Sequence, residues 1–193
     1  MKSNYIIYIL LFWAISLNAQ NTDRFWAFGD SAAIDFKNLS NPVSSFSTLR
    51  ARGSCVSICD SVGDLLFYAS TPKTPPYPYN TVTGKAGYVT SKNHQTMQNG
   101  DTIVGAAWYQ EMVIVPDPAS SMQYYLFSAG ELAPIYGLFY SKIDMSYNNG
   151  LGKVIQKNVQ INNDSIADGI TAVKHGNGRD WWVIVRNWKG QQY

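Results

Sequence analysis

After residue 20 the apolar positions fall in short runs, each closed by Gly, Pro, Asn or Asp. That pattern predicts strands, and helical periodicity is hard to find. Strands are expected at 25–28 and 32–36, followed by a polar Ser/Asn/Pro loop over 38–47. A unit then recurs. Residues 55–59, 112–115 and 170–174 are apolar strands; each leads through a tight polar turn into an aromatic strand, at 65–68, 124–127 and 181–185. The aromatic strands begin at 65, 124 and 181, a spacing of about sixty residues. A third strand follows at 86–91 and at 137–143, and a fourth at 101–105 and at 153–161. Asn99-Gly100 and Asn148-Asn149-Gly150 supply hairpin turn signals between them.

Four antiparallel strands per repeat is the plan of a β-propeller blade, although a blade is more often ~40–50 residues long. The aromatic runs fit that plan. Residues 124–127 and 181–185 do not alternate apolar with polar, as expected of strands covered on both faces. With no helices to cover them, sister sheets must do so. The expected fold is all-β, a partial β-propeller of about three blades. The alternative is a β-sandwich, which leaves one face of each sheet wet and calls for cleaner alternation. Closed propellers have four to eight blades, so C-terminal blades are expected to be missing and 20–193 reads as a fragment of a longer protein.

The first twenty residues have a different grammar. Lys2 is followed by an apolar run of about 13 residues, and Asn18-Ala19-Gln20 offers a cleavage point after Ala19. This predicts a signal peptide over 1–19, cut between Ala19 and Gln20. The run is shorter than the ~20 residues of a membrane-spanning helix. The mature chain is therefore expected to be secreted or displayed at the cell surface, with no membrane span of its own.

Charge and cysteine change the picture little. Charged residues make up 15% and the formal net charge is +2, which gives no electrostatic basis for nucleic-acid binding. Cys55 and Cys59 lie four apart in one predicted strand, where a rise of ~3.3 Å per residue separates them by ~13 Å. A disulfide tolerates less than ~7 Å, so two buried thiols are expected; a metal pair is the alternative.

Catalytic grammar is missing. No nucleophile-elbow, HExxH, phosphate-loop or calcium-loop pattern occurs. The two His, at 94 and 175, read as turn residues, and Glu occurs only at 111 and 131. Asp60, Asp64, Asp117, Asp164, Asp168 and Asp180 read as turn residues through local backbone bonding. Trp108, Tyr109 and Trp188 read as packing residues of the sheets. The candidate ligand-binding residues are Tyr77 and Tyr79, two rings on a proline-stiffened loop suited to stacking on a sugar or gripping a partner. No cofactor or metal site is expected.

The ordered series Trp26-Ala-Phe-Gly-Asp-Ser-Ala-Ala-Ile-Asp-Phe36, Gly53-Ser-Cys-Val-Ser-Ile-Cys-Asp60, Gly63-Asp-Leu-Leu-Phe-Tyr68, Asn93-His-Gln-Thr-Met97, Val113-Ile-Val-Pro116, Tyr124-Tyr-Leu-Phe127, Tyr140-Ser-Lys-Ile-Asp-Met145 and Ala172-Val-Lys-His-Gly-Asn-Gly-Arg-Asp-Trp-Trp-Val183 spans nearly the whole mature chain. In this series the chain resembles the N-terminal propeller-like region of large exported proteins of gliding bacteria. Those proteins often end in a type IX secretion, gliding-motility-associated sorting domain. Two departures stand out: a Pro- and Tyr-rich insertion over 69–83, and no sorting domain in these residues. The resemblance implies secretion or surface display and a scaffold for contacts, with no defined activity. It also implies O-glycosylation at Asp-Ser/Thr-aliphatic sequences, which places candidates at Ser31, Ser61, Thr102 and Ser165.

Three functional expectations follow. The first is an exported, non-enzymatic propeller module for surface adhesion or for binding protein or carbohydrate. The second is a fragment of an extracellular hydrolase with a carboxylate site at the propeller axis. The third is a truncated product without function of its own.

Overall fold

The computed structural model describes residues 21–72, 84–106, 109–132 and 135–188. Among them are eleven strands, two short 3-10 turns and no α-helix. The strands are β1 (Phe25–Phe28), β2 (Asp30–Asp35), β3 (Val43–Cys59), β4 (Leu65–Pro72), β5 (Tyr88–Ser91), β6 (Met112–Pro116), β7 (Gln123–Leu132), β8 (Ile135–Asp144), β9 (Lys153–Gln160), β10 (Ile166–Lys174) and β11 (Trp181–Asn187).

All ladders are antiparallel between chain neighbours. The long β3 serves two sheets. Its first part pairs with β2, and from Ala51 onward it pairs with β4, with a register break between Ala51 and Cys55. Four small sheets result: an N-terminal sheet (β1, β2 and the start of β3), sheet I (the rest of β3, β4, β5), sheet II (β6 to β9) and sheet III (β10, β11). None of them closes on itself.

The sheets stack in series, and each contact has its own apolar cluster. Phe25, Leu49, Cys59 and Tyr68 fill the space between the N-terminal sheet and sheet I. Phe67, Val89, Met112, Leu126, Ile143 and Val154 fill the space between sheets I and II. Ala129, Leu138, Ile166 and Ile170 join sheets II and III, with Phe127 and Val183 against them. Strand alternation explains the division. In β7, Tyr124 and Leu126 face sheet I, while Phe127 and Ala129 face sheet III. Sheets I and II are thus covered on both faces, as the unbroken aromatic run of β7 requires.

Several sequence expectations need correction. The loop expected over 38–47 ends early: Val43 already pairs with Asp35, and Phe46 with Ala32. The fourth strand expected at 101–105 reduces to isolated bridges at Ile103 and Gly105. That segment is tied to β9 instead: Asn158 donates from Nδ2 to the Thr102 carbonyl at 2.8 Å and accepts from the Val104 amide at 2.9 Å. The 181–185 run is not covered on both faces. Val183 packs inward, whereas Trp182 and Ile184 are exposed with Val173 beside them in β10, because no described sheet lies beyond sheet III. Tyr109 and Trp188 are also exposed rather than packed, and Trp188 continues the exposed set of β11. Asp168 lies within β10 rather than at a turn.

Candidate functional site

Three strands lead their sheets: the second part of β3, then β6, then β10. Strand β6 packs against β3 on one side and β10 on the other. The residues just before β6 fasten all three together. The Gln110 carbonyl accepts from the amides of Gly169 and Ile170, both at 3.0 Å. The Glu111 amide donates to Ser54 Oγ at 3.1 Å, and its carbonyl accepts from the Ala129 amide at 2.9 Å. The Glu111 carboxylate is fully buried, 0% exposed. Its two oxygens accept from Thr71 Oγ1 at 2.8 Å and from the Ala106 amide at 2.7 Å. Gly105 makes room for it: a Cβ there would stand 2.5 Å from Thr71 Cγ2, at a φ of +152°.

The second glutamate belongs to the same junction. Glu131 in β7 is buried, and its Oε1 has no hydrogen-bond partner among the described residues. Burial, and then the charges of Glu111 and Asp168, push its carboxyl up to about 8. At neutral pH it is therefore mostly protonated. One carboxylate is held by donors and the other is kept neutral, and both side chains are buried, although Gln110 and Gly169 beside them reach solvent.

At their far end the same strands part. A cleft of ≈ 400 Å³ is lined by Asp23 and Trp26 beside the N-terminal sheet, Ser57 of sheet I, Ile114 of sheet II, and Ala172 and Trp181 of sheet III. Every sheet contributes to it. Among the described residues strand β6 pairs only with β7, which leaves its other edge unpaired there. The bonds from Ala129 N to Glu111 O and from Asp117 N to Gln123 O set the antiparallel phase. Ile114 then falls at a position where N–H and C=O point away from β7. Pro116 closes the strand with a residue that has no N–H to offer.

Trp26 is held although it is 53% exposed. Its indole N–H donates to the Asp23 carbonyl at 2.7 Å, and its ring lies 4.9 Å from that of Phe36. On the sheet III side Lys174 Nζ stands 6.0 Å from the Trp181 ring. The Ser57 hydroxyl is already engaged, donating to the Phe25 carbonyl at 2.6 Å.

Comparison with protein-family models, with curated proteins and with solved structures returns no match.

The structure scatters the residues singled out from sequence. Tyr77, Tyr79, Ala19, Gln20 and Trp108 lie outside the described residues. Ser31, Ser61, Thr102 and Ser165 are all exposed, at separate places: within β2, in the turn after β3, beside β9, and just before β10. Ser31 and Thr102 adopt positive φ, 65° and 54°.

Cys55 and Cys59 share β3 and form no disulfide. Burial pushes the Cys59 thiol up to about 11, over the opposing backbone bonds from Phe25 and Arg24, and Cys55 shifts the same way. Such thiols are poor nucleophiles. His175 accepts from the Asn177 amide in its turn. His94, at φ 64°, places Nδ1 2.9 Å from the hydroxyl of the buried Tyr68.

Sequence reasoning missed the pairing of Glu111 with Glu131 and the cleft between Trp26 and Trp181. The one signal for the first was scarcity, since these are the only two glutamates. For the second there was none beyond tryptophans in strands.

Proposed function

We propose that this chain is an exported, non-enzymatic binding module of β-propeller type, acting in adhesion or in contacts with protein or carbohydrate at the cell surface. The observation that carries the reading is the arrangement of β3, β6 and β10. They stand side by side, β6 and β10 at sheet edges and β3 pairing with β4 through its second part, and residues of all three line one cleft. Sheets that radiate from a shared line fit this packing, and binding sites favour such concave places. The serial apolar contacts between sheets support the same architecture. Export rests on the first twenty residues, and surface display and type IX delivery rest on the resemblance to gliding-bacterial proteins.

The outer face of sheet III, with Val173, Trp182, Ile184 and Trp188 exposed, suits further sheets of the same kind, the missing blades of the sequence reading. The hydrolase reading draws on Glu111 and Glu131. It is the weaker one, because neither glutamate is among the residues that line the cleft and both of Glu111's oxygens are taken by structural donors.

The test is retention. Labelled mature chain is applied to intact cells and to immobilised glycans and proteins, with chromogenic glycosides and peptides assayed in parallel. Saturable retention without turnover is expected. Turnover without retention contradicts the reading.

A further inference from the structure

The cleft along the leading strands has a chemistry that narrows its ligand, and resting on the module reading above we propose that it binds a neutral oligosaccharide through the faces of Trp26 and Trp181. Its volume, ≈ 400 Å³, lies within the usual range of small-ligand sites, ~300–1,000 Å³.

Its lining excludes several other classes. Among the described residues its lining holds the Asp23 carboxylate and no Lys, Arg or His, and the one cation placed beside it, Lys174, is turned to the Trp181 ring at 6.0 Å, so an anionic ligand meets a like charge at Asp23 and little counter-charge. Its walls are mostly aliphatic and aromatic, with Thr22, Asp23 and the outward N–H and C=O of Ile114 as the polar groups left for a ligand, since Ser57 is engaged with Phe25. A purely apolar ligand would leave those few groups without partners. What remains is a neutral molecule with hydroxyl donors at its rim and an apolar C–H face, the description of a pyranose with equatorial hydroxyls.

Trp26 is prepared for such a face. Its single polar atom is satisfied within the protein by Asp23, and Phe36 fixes the ring from one side. The exposed part of the side chain is therefore π surface, already ordered before any ligand arrives. Rigid aromatic anchors lose little entropy on binding. Asp23 itself is exposed beside it, an acceptor for ligand hydroxyls.

An extended peptide adding to the open edge of β6 is the rival occupant. It is disfavoured by length. The strand has five residues, its Met112 end runs into the Glu111–Ser54 bond, and Pro116 closes the other. Met112 and Ile114 offer outward N–H and C=O groups and Pro116 only its C=O, a short ladder at most.

The test uses the mature chain, titrated with trisaccharides of β-1,4-linked glucose and of β-1,4-linked N-acetylglucosamine. Tryptophan emission and calorimetry report binding. One of the two probes is expected to shift emission saturably. Trp26→Ala is expected to weaken binding about tenfold or more, with partial rescue by Trp26→Phe. Ala172→Arg, which fills the cleft from β10, is expected to abolish it. Unchanged thermal unfolding of Trp26→Ala shows that the fold is kept.

No response to either trisaccharide, or a response that Trp26→Ala and Ala172→Arg leave intact, overturns the proposal. So does capture of extended peptides in place of sugar. If the wild-type chain is retained on cells and both variants are retained equally, this site is wrong and the module reading stands. If nothing retains the wild-type chain, both fall.

Discussion

The two ends of the leading strands differ in every physical respect although they belong to the same three strands. At the Glu111 end, sheets I, II and III are bonded to one another through main-chain and carboxylate contacts around two buried glutamates. At the Trp26 end they separate, and indoles and a free strand edge face water. The difference teaches how one scaffold divides its work. Buried polar groups are costly unless partnered, so the closed end specifies how the sheets meet. Exposed aromatics contribute little to folding, so the open end is available for contacts.

The largest effect is expected where the ends are made alike by opening the closed one. Glu111→Ala leaves the Thr71 hydroxyl and the Ala106 amide buried without their acceptor. Breaking such a network should cost about 3–5 kcal/mol in urea unfolding. A cost below about 1 kcal/mol would mean that the junction is wet. Next in size is the apolar contact between sheets I and II. Leu126→Ala removes a fully buried side chain beside Phe67 and Met112 and should cost about 2–5 kcal/mol.

Glu131 sharpens the comparison through pH. Its carboxyl is raised from 4.5 to about 8 in the folded chain. The neutral form is thus favoured by folding, and that contribution is fully present below pH 4.5. Above that pH the unfolded chain gives up the proton while the folded one keeps it, so stability falls until the pH passes about 8. Glu131→Gln should flatten the decline and exceed wild type at pH 8, by an amount on the order of a few kcal/mol. Parallel stability curves for the two proteins between pH 5 and 8 would contradict the closed-end geometry. The smallest effect belongs to the open end. Trp26→Ala should change unfolding free energy by less than about 1 kcal/mol, an ordinary value for an exposed side chain, while its effect on ligand retention is large.

The architecture was legible where burial was strong. The unbroken aromatic run of β7 announced a sheet covered on both faces, and the Asn-rich turn before β9 announced its reversal; there Asn148 and Asn149 adopt φ of 54° and 55°. Legibility failed where pairing is decided by partners rather than by pattern. The start of β3 looked like a loop because Ser44, Ser45 and Ser47 dilute its apolar signal, yet β2 pairs with it. The 181–185 run looked doubly buried because composition cannot say whether a neighbouring sheet is there. The candidate site was largely hidden. Glu111 and Glu131 are twenty residues apart with no motif between them, and Trp26 and Trp181 meet one cleft only because three sheets stack in order.

Hydrogen exchange resolved by residue tests the closed-end, open-end division most directly. The amides of Glu111, Ala129, Gly169 and Ile170 should exchange only on global unfolding, while that of Ile114, three residues beyond Glu111 in β6, should exchange by local opening at least about a hundredfold faster. Uniform protection of all five amides, or faster exchange at Glu111 than at Ile114, would contradict it.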